Sequence, residues 1–131
     1  MPDAESYLAQ APRFWEVAQA AHDPEHTSQA ASVAVLAIIA ANDAVVVALG
    51  GMVRKSRAHE EAGRALREAC SGTRWEADAS QKARQLAVVL SHKNAAQYEG
   101  RSLRPADVHR IMVQTERFIE WAARVVRDQS S

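Results

Sequence analysis

Two groups of polar residues occupy positions that packing alone does not require. The first is Asn42-Asp43, in the middle of an otherwise apolar segment. An ionised carboxylate in such a place is costly unless a cation or a hydrogen-bond donor faces it. Asp43 could belong to a structural network that fixes the register of the helices. Alternatively, it could orient a base or a cation that another helix contributes to a binding or catalytic site.

The second group is the run 93–98, which reads Lys-Asn-Ala-Ala-Gln-Tyr. In a helix, Lys93 lies beside Gln97 and Asn94 beside Tyr98, each pair one turn apart. Lys93 follows the apolar part of its segment, which makes it the best cationic partner for Asp43. The alternative is a solvated helix end over which Tyr98 closes, the usual role of an isolated tyrosine.

Two histidines adjoin these groups. His92 precedes Lys93, although consecutive helical residues point about 100° apart. His59 opens a later helix and could fold back over Asp43. Either imidazole could exchange a proton near neutral pH, but a solvated histidine is the commoner case.

His22 and His26 have the spacing of a metal-binding pair, with acidic residues between them. Pro24 breaks the helix that would bring both rings to one face. We therefore predict no metal site, and nothing in the sequence indicates a cofactor.

Three arginines, Arg110, Arg117 and Arg124, recur every seven residues in the last segment. They lie opposite its apolar stripe. A solvated face, with Glu120 paired to Arg124 across one turn, is one interpretation. The other is a row of contacts to the phosphates of RNA, which requires clustered bases rather than net charge.

Composition excludes some classes of protein but does not distinguish among these hypotheses. The 131 residues carry 16 basic and 16 acidic side chains, so no net charge attracts the protein to nucleic acid or to a membrane. The charge is uneven, however, since all but one of the bases lie from Arg54 onward. Cys70 is the only cysteine, which excludes an internal disulfide and favours a reduced, cytoplasmic setting.

Alanine richness and few glycines predict an all-α antiparallel bundle of about five helices. It forms one domain, 1–131, with 1–10 loosely ordered and 129–131 a tail. Helices are expected over about 12–21, with Pro12 in the first turn, and over 26–49, 56–70, 75–98 and from 105 onward. In the fourth helix the predicted core positions are Ala79, Ala83, Leu86, Ala87 and Leu90. In the fifth they are Val108, Ile111, Met112, Thr115, Phe118, Ile119, Ala122, Val125 and Val126.

The second of these helices is apolar around its whole circumference, with one stripe formed by Val33, Leu36, Ala37, Ala40, Ala44, Val47 and Ala48. Its length approaches the ~20 residues of a membrane span. Asn42 and Asp43 in its middle would be costly in lipid. We therefore predict a central core helix and no membrane contact.

The sequence resembles the HEPN superfamily of bacterial helical bundles over about 11–127. The resemblance lies in Ala-Ile-Ile-Ala-Ala-Asn-Asp-Ala-Val at 37–45 and in His59 after the glycines. It continues in Leu-Ser-His-Lys-Asn-Ala-Ala-Gln-Tyr-Glu at 90–99 and Phe-Ile-Glu-Trp-Ala at 118–122. It implies a homodimer from a toxin–antitoxin or defence system. Many HEPN proteins are metal-independent ribonucleases, and some form a complex with a nucleotidyltransferase-type antitoxin, so the resemblance implies these properties as expectations.

The family motif implies roles for particular residues. Lys93 stands where these proteins have an arginine, Asn94 matches the following asparagine, and Tyr98 stands at the histidine. Asn42 or Asp43 matches the polar residue of the preceding long helix. A lysine lacks the planar fork of arginine, and a tyrosine with a pKa near 10 is a poor base at neutral pH.

These departures lead us to expect RNA or nucleotide binding with weak or no cleavage. In an active metal-independent endoribonuclease, Lys93, Tyr98 and Asp43 would be catalytic, and Asn42, Asn94, Gln97, His59 and His92 would bind. A noncatalytic bundle that holds a protein partner is the third hypothesis.

Overall fold

A computed structural model of the protein describes residues 4–20, 27–53, 59–98 and 104–130, with side chains over 4–16, 29–53, 61–91 and 104–129. The described chain is helical, in the order α1 (Ala4–Ala20), α2 (Thr27–Ala48), α3 (His59–Cys70), α4 (Glu76–Tyr98) and α5 (Pro105–Ser130). These five helices confirm the predicted all-α bundle. No strand occurs within these described ranges.

Helix α2 lies at the centre of the bundle and packs against all four other helices. Small residues such as Ala30, Ala34 and Ala41 are completely buried and let the neighbouring helices approach closely, while Val35 and Ile38 fill the core between them. The helix ends at Ala48, and Gly50 in the turn that follows has a φ of 87°, which suits a residue without a side chain. Both ends of α2 agree with the prediction within about a residue.

The segment Gln29–Ala48 of α2 is long and apolar enough to cross a membrane by length and composition. Of its most apolar window, 67% is buried inside the bundle. A buried core helix passes the same test of length and composition.

One side of α2 is less buried than the sequence predicted. Leu36, assigned to the core stripe, is 48% exposed, and Val33 and Val47 on the same side are only half-buried. A helix that is apolar all round has no periodicity to indicate which side faces its neighbours. The expectation for Leu36 was therefore wrong.

Helix α1 begins at Ala4, so Pro12 lies inside the helix and not in its first turn. Residues 4–10 form the first part of this helix. Proline removes the hydrogen bond to the carbonyl of Leu8. Its ring is on the exposed side, while Ala11 is completely buried and Leu8 packs on the core. Packing against α2 stabilises a helix that local preference would have ended.

Helices α4 and α5 run antiparallel. The guanidinium of Arg74, just before α4, bonds Asp128 near the end of α5 at 3.0 Å. Phe118 and Trp121 of α5 are buried in edge-to-face contact, with ring centroids 5.7 Å apart. The predicted stripe of α5 is confirmed, except that Ile119 is only partly buried.

The core face of α4 differs from the prediction at one edge. Ala87 is exposed, whereas Lys82, Gln85 and Val89 are buried. The alanine pattern predicted a buried face of α4 that did not include Lys82 and Gln85, because a lysine and a glutamine are ordinarily assigned to solvent.

Candidate functional site

Asn42 joins α2 to α3. Its side chain is 3% exposed, and Nδ2 donates to the backbone carbonyl of Ala62 at 3.4 Å. Its Oδ1 is buried and has no hydrogen-bond partner among the described residues. This geometry favours the structural interpretation of Asn42, as a polar contact that fixes two helices against each other.

Asp43 has a different environment from Asn42. It lies on the half-buried side of α2, seven residues after the exposed Leu36. No hydrogen bond or ion pair joins it to another described side chain. Burial raises the pKa of its carboxyl to about 6. Asp43 can therefore exchange a proton close to neutral pH.

The predicted partners of Asp43 lie at the end of α4 and the start of α3. The backbone of α4 includes His92, Lys93, Asn94, Gln97 and Tyr98. His59 is the first residue of α3. The side chains of all six lie outside the described residues, so a contact between Lys93 and Asp43 stays a prediction.

The three arginines of α5 are exposed, on the side away from its buried stripe. Within the described part of the chain, no ion pair joins Arg110, Arg117 or Arg124 to a carboxylate. In particular, Glu120 does not pair with Arg124. The pairing that would have supported a merely solvated face is therefore not formed.

Lys82 is a site residue that the sequence did not indicate. It is only 8% exposed, on the side of α4 that faces α5. Its Nζ donates to Oε1 of Gln85 at 3.0 Å and lies 5.8 Å from the centre of the Trp121 ring. The core-facing position of a lysine between Ala79 and Leu86, one helical turn from each, is the only signal that could have found it.

The charges around Lys82 act on its pKa in both directions. Burial lowers it most, and repulsion from Arg124 and Arg117 lowers it further. Asp78 and Glu120 act in the opposite direction. We name Lys82, Arg117 and Arg124 the three-cation cluster.

Asp78, the acid of α4 that acts on Lys82, is already hydrogen-bonded. Its Oδ2 accepts the indole N–H of Trp121 at 3.1 Å. No ion pair connects Asp78 or Glu120 to Lys82 in the described structure. The ammonium group therefore contacts a neutral amide and an aromatic ring, and no described carboxylate forms an ion pair with it.

Two other kinds of chemistry find little support in the described residues. The Cys70 thiol is buried, and burial together with the charge of Asp78 raises its pKa to about 11, so it is not a ready nucleophile at neutral pH. Within the described ranges, no three His, Cys, Asp or Glu side chains come together as metal ligands.

In comparisons with known proteins, the chain matches no family model, no curated protein and no solved structure.

Proposed function

We propose that this protein is an RNA-binding helical bundle that contacts phosphates through the face shared by α4 and α5. The observation that carries the proposal is the three-cation cluster: Nζ of Lys82 lies 5.8 Å from the centre of the Trp121 ring, and the exposed Arg117 and Arg124 stand one helical turn to either side of that tryptophan on α5. No described carboxylate forms an ion pair with any of the three. Phosphate is the anion that such lysines and arginines ordinarily bind in nucleic-acid complexes.

The spacing of the arginines suits an extended polyanion. With a rise of ~1.5 Å per residue, Arg110, Arg117 and Arg124 are about 10 Å apart along α5, so the row spans about 20 Å. A protein with zero net charge can bind RNA through such a local row, because backbone contacts depend on clustered bases.

The aromatic residues of this face do not support base stacking. Phe118 and Trp121 are fully buried, and Trp75 is nearly so. Stacking on exposed rings is the usual source of affinity for single-stranded bases. The proposed binding therefore depends on phosphate contacts and is strongly salt-dependent.

The HEPN resemblance extends the proposal to a toxin–antitoxin or defence system in the cytoplasm, with a homodimer and a nucleotidyltransferase-type partner. Cleavage is weak or absent in this proposal because tyrosine replaces histidine at position 98. The active alternative uses Lys93 to steady the phosphate and Tyr98 or a nearby histidine to move the proton.

Salt-dependent binding of a labelled single-stranded RNA tests the proposal. The double variant Arg117→Gln/Arg124→Gln should bind more weakly, and its log–log salt slope should fall by about 1.4, or 0.7 for each lost phosphate contact. The matched control, Arg64→Gln/Arg84→Gln, removes the same charge from exposed positions on α3 and α4. Equal losses in both variants would contradict binding at this face.

Cleavage is tested separately on a mixed RNA pool with EDTA present. We expect intact RNA at high protein concentration. Metal-independent cutting by the wild type that is lost in both Lys93→Ala and Tyr98→Phe would establish the active alternative instead.

A protein-interaction bundle is the second candidate, because Leu36 is 48% exposed between half-buried Val33 and Asp43 on α2. Binding through such an apolar surface should persist at high salt, unlike binding to RNA. A partner retained in ~1 M salt and lost in Leu36→Ser would favour this candidate.

A further inference from the structure

Lys82 forms no ion pair with a described carboxylate, although Asp78 and Glu120 act on its charge without contacting it. A buried ammonium group is costly without a counter-charge. Its hydrogen bond to Gln85 satisfies one donor, but a neutral amide supplies no negative charge. The ammonium has three donors, and the bond to Gln85 is the one formed among the described residues, so a further acceptor can be bound.

The two arginines stand on either side of the ring that Lys82 covers. Trp121 is four residues after Arg117 and three before Arg124, so all three lie on one side of α5. Both arginines are exposed and act electrostatically on Lys82. The cluster therefore presents one buried and two exposed cations around a single indole.

We infer that Lys82, Arg117 and Arg124 form a discrete site for the terminal phosphate of an RNA. In this site the phosphate lies between the two guanidinium groups and accepts a hydrogen bond from Nζ of Lys82. This inference rests on the proposed function and adds a preference for one chemical group.

Charge favours a terminal phosphate over an internal one. A phosphomonoester carries about −1.5 to −2 near neutral pH and has three strong acceptor oxygens. An internal phosphodiester carries one negative charge for the same three cations. The acids Asp78 and Glu120 reduce the positive potential, but Asp78 is held by the indole N–H of Trp121.

The test compares one RNA sequence with a 5′-phosphate, with a 3′-phosphate and with hydroxyl groups at both ends. We expect the wild type to bind at least one phosphorylated form about tenfold more tightly than the hydroxyl form. Lys82→Met, which keeps the length of the side chain, should bind all three equally, whereas the control Arg84→Gln should keep the preference. Equal wild-type binding of all three forms overturns the site but leaves the proposed function intact. Binding of none overturns both.

A second measurement needs no variant. The indole N–H of Trp121 donates to Asp78, and Lys82 lies over the same ring, so the NMR signal of this indole N–H reports on the cluster. Titration with inorganic phosphate at constant ionic strength should shift this signal to saturation. A shift that is linear and equal to that caused by chloride would overturn the site.

Discussion

Trp121 of α5 donates its indole N–H to the carboxylate of Asp78 on α4 at 3.1 Å. Trp121 is 1% exposed, so this bond satisfies a donor that water cannot reach. Together with the ion pair between Arg74 and Asp128, it fixes the register of two antiparallel helices. The same register places Lys82 over the indole ring, so the packing of the bundle and the candidate site depend on one contact.

Removing this acceptor should destabilise the protein. We expect Asp78→Ala to lower the free energy of unfolding by about 1–3 kcal/mol, because the indole N–H is left buried and unsatisfied. Asp78→Asn, which keeps an oxygen acceptor, should lower the free energy of unfolding less. Urea unfolding measures both.

The control is the same change in a Trp121→Phe background. Asp78 also lies in the first turn of α4, where a carboxylate favours the helix. If loss of the hydrogen bond from the indole causes most of the destabilisation, Asp78→Ala should lower the free energy of unfolding much less in the Trp121→Phe background. An undiminished loss would assign the effect to the helix end instead.

The carboxyl of Asp43 should make stability depend on pH. Burial raises its pKa from 3.8 to about 6, so the folded protein holds this proton more tightly than the unfolded chain. The contribution of Asp43 to stability is therefore present below pH 4 and is lost as pH rises through about 6.

Asp43→Asn should consequently stabilise the protein at pH 7 by about 1 kcal/mol, a value reduced to allow for its partial exposure, and should have little effect at pH 4. Chemical denaturation at the two pH values measures this difference. Glu68→Gln, an exposed carboxyl on α3, is the control. A loss of stability at pH 7 would show that ionised Asp43 has a cationic partner, as the sequence predicted for Lys93.

Replacing two of the glycines with alanine should change the stability of the protein in opposite directions. A Cβ on Gly51 would lie 2.8 Å from Cγ1 of Val46 and 3.0 Å from its backbone oxygen. A Cβ on Gly63, inside α3, would meet only the Cβ of Ala83, at 3.8 Å. We expect Gly63→Ala to stabilise the protein by about 0.5–1 kcal/mol through helix propensity. Gly51→Ala should destabilise it, because the neighbouring backbone must shift. Thermal unfolding of both variants checks the signs, and stabilisation by both would contradict the close approach at Gly51.

Local signals predicted the helices well where they were strong. Helix α5 begins at Pro105, as the sequence predicted. The ion pair between Arg104 and Asp107 in its first turn, at 3.1 Å, was not predicted. In α2 and α4 the rotation was harder to predict. The apolar circumference of α2 hid the exposure of Leu36, and the polar Lys82 was not expected in a buried position.

The candidate site was predicted only in part for the same reason. The row Arg110, Arg117 and Arg124 was visible as a seven-residue repeat along one helix. Its connection to Lys82 depends on how α4 and α5 pack, which a one-dimensional pattern does not contain. Asn42 and Asp43 were found as exceptions in an apolar run, but their separate roles depend on a rotation of about 100° between neighbours.

Lys82→Met should increase stability while it removes binding to a terminal phosphate. The pKa of Lys82 is lowered in the folded protein, so protonation of the buried amine opposes folding. This contribution weakens stability at pH values below the folded pKa and is relieved as pH rises toward the ordinary lysine value. Replacing the cation with an apolar side chain of similar length should therefore raise the free energy of unfolding at pH 7 by about 1 kcal/mol. Urea unfolding measures this, with Arg84→Met as an exposed control. A destabilised Lys82→Met would show instead that the bond to Gln85 and the contact with Trp121 stabilise the fold.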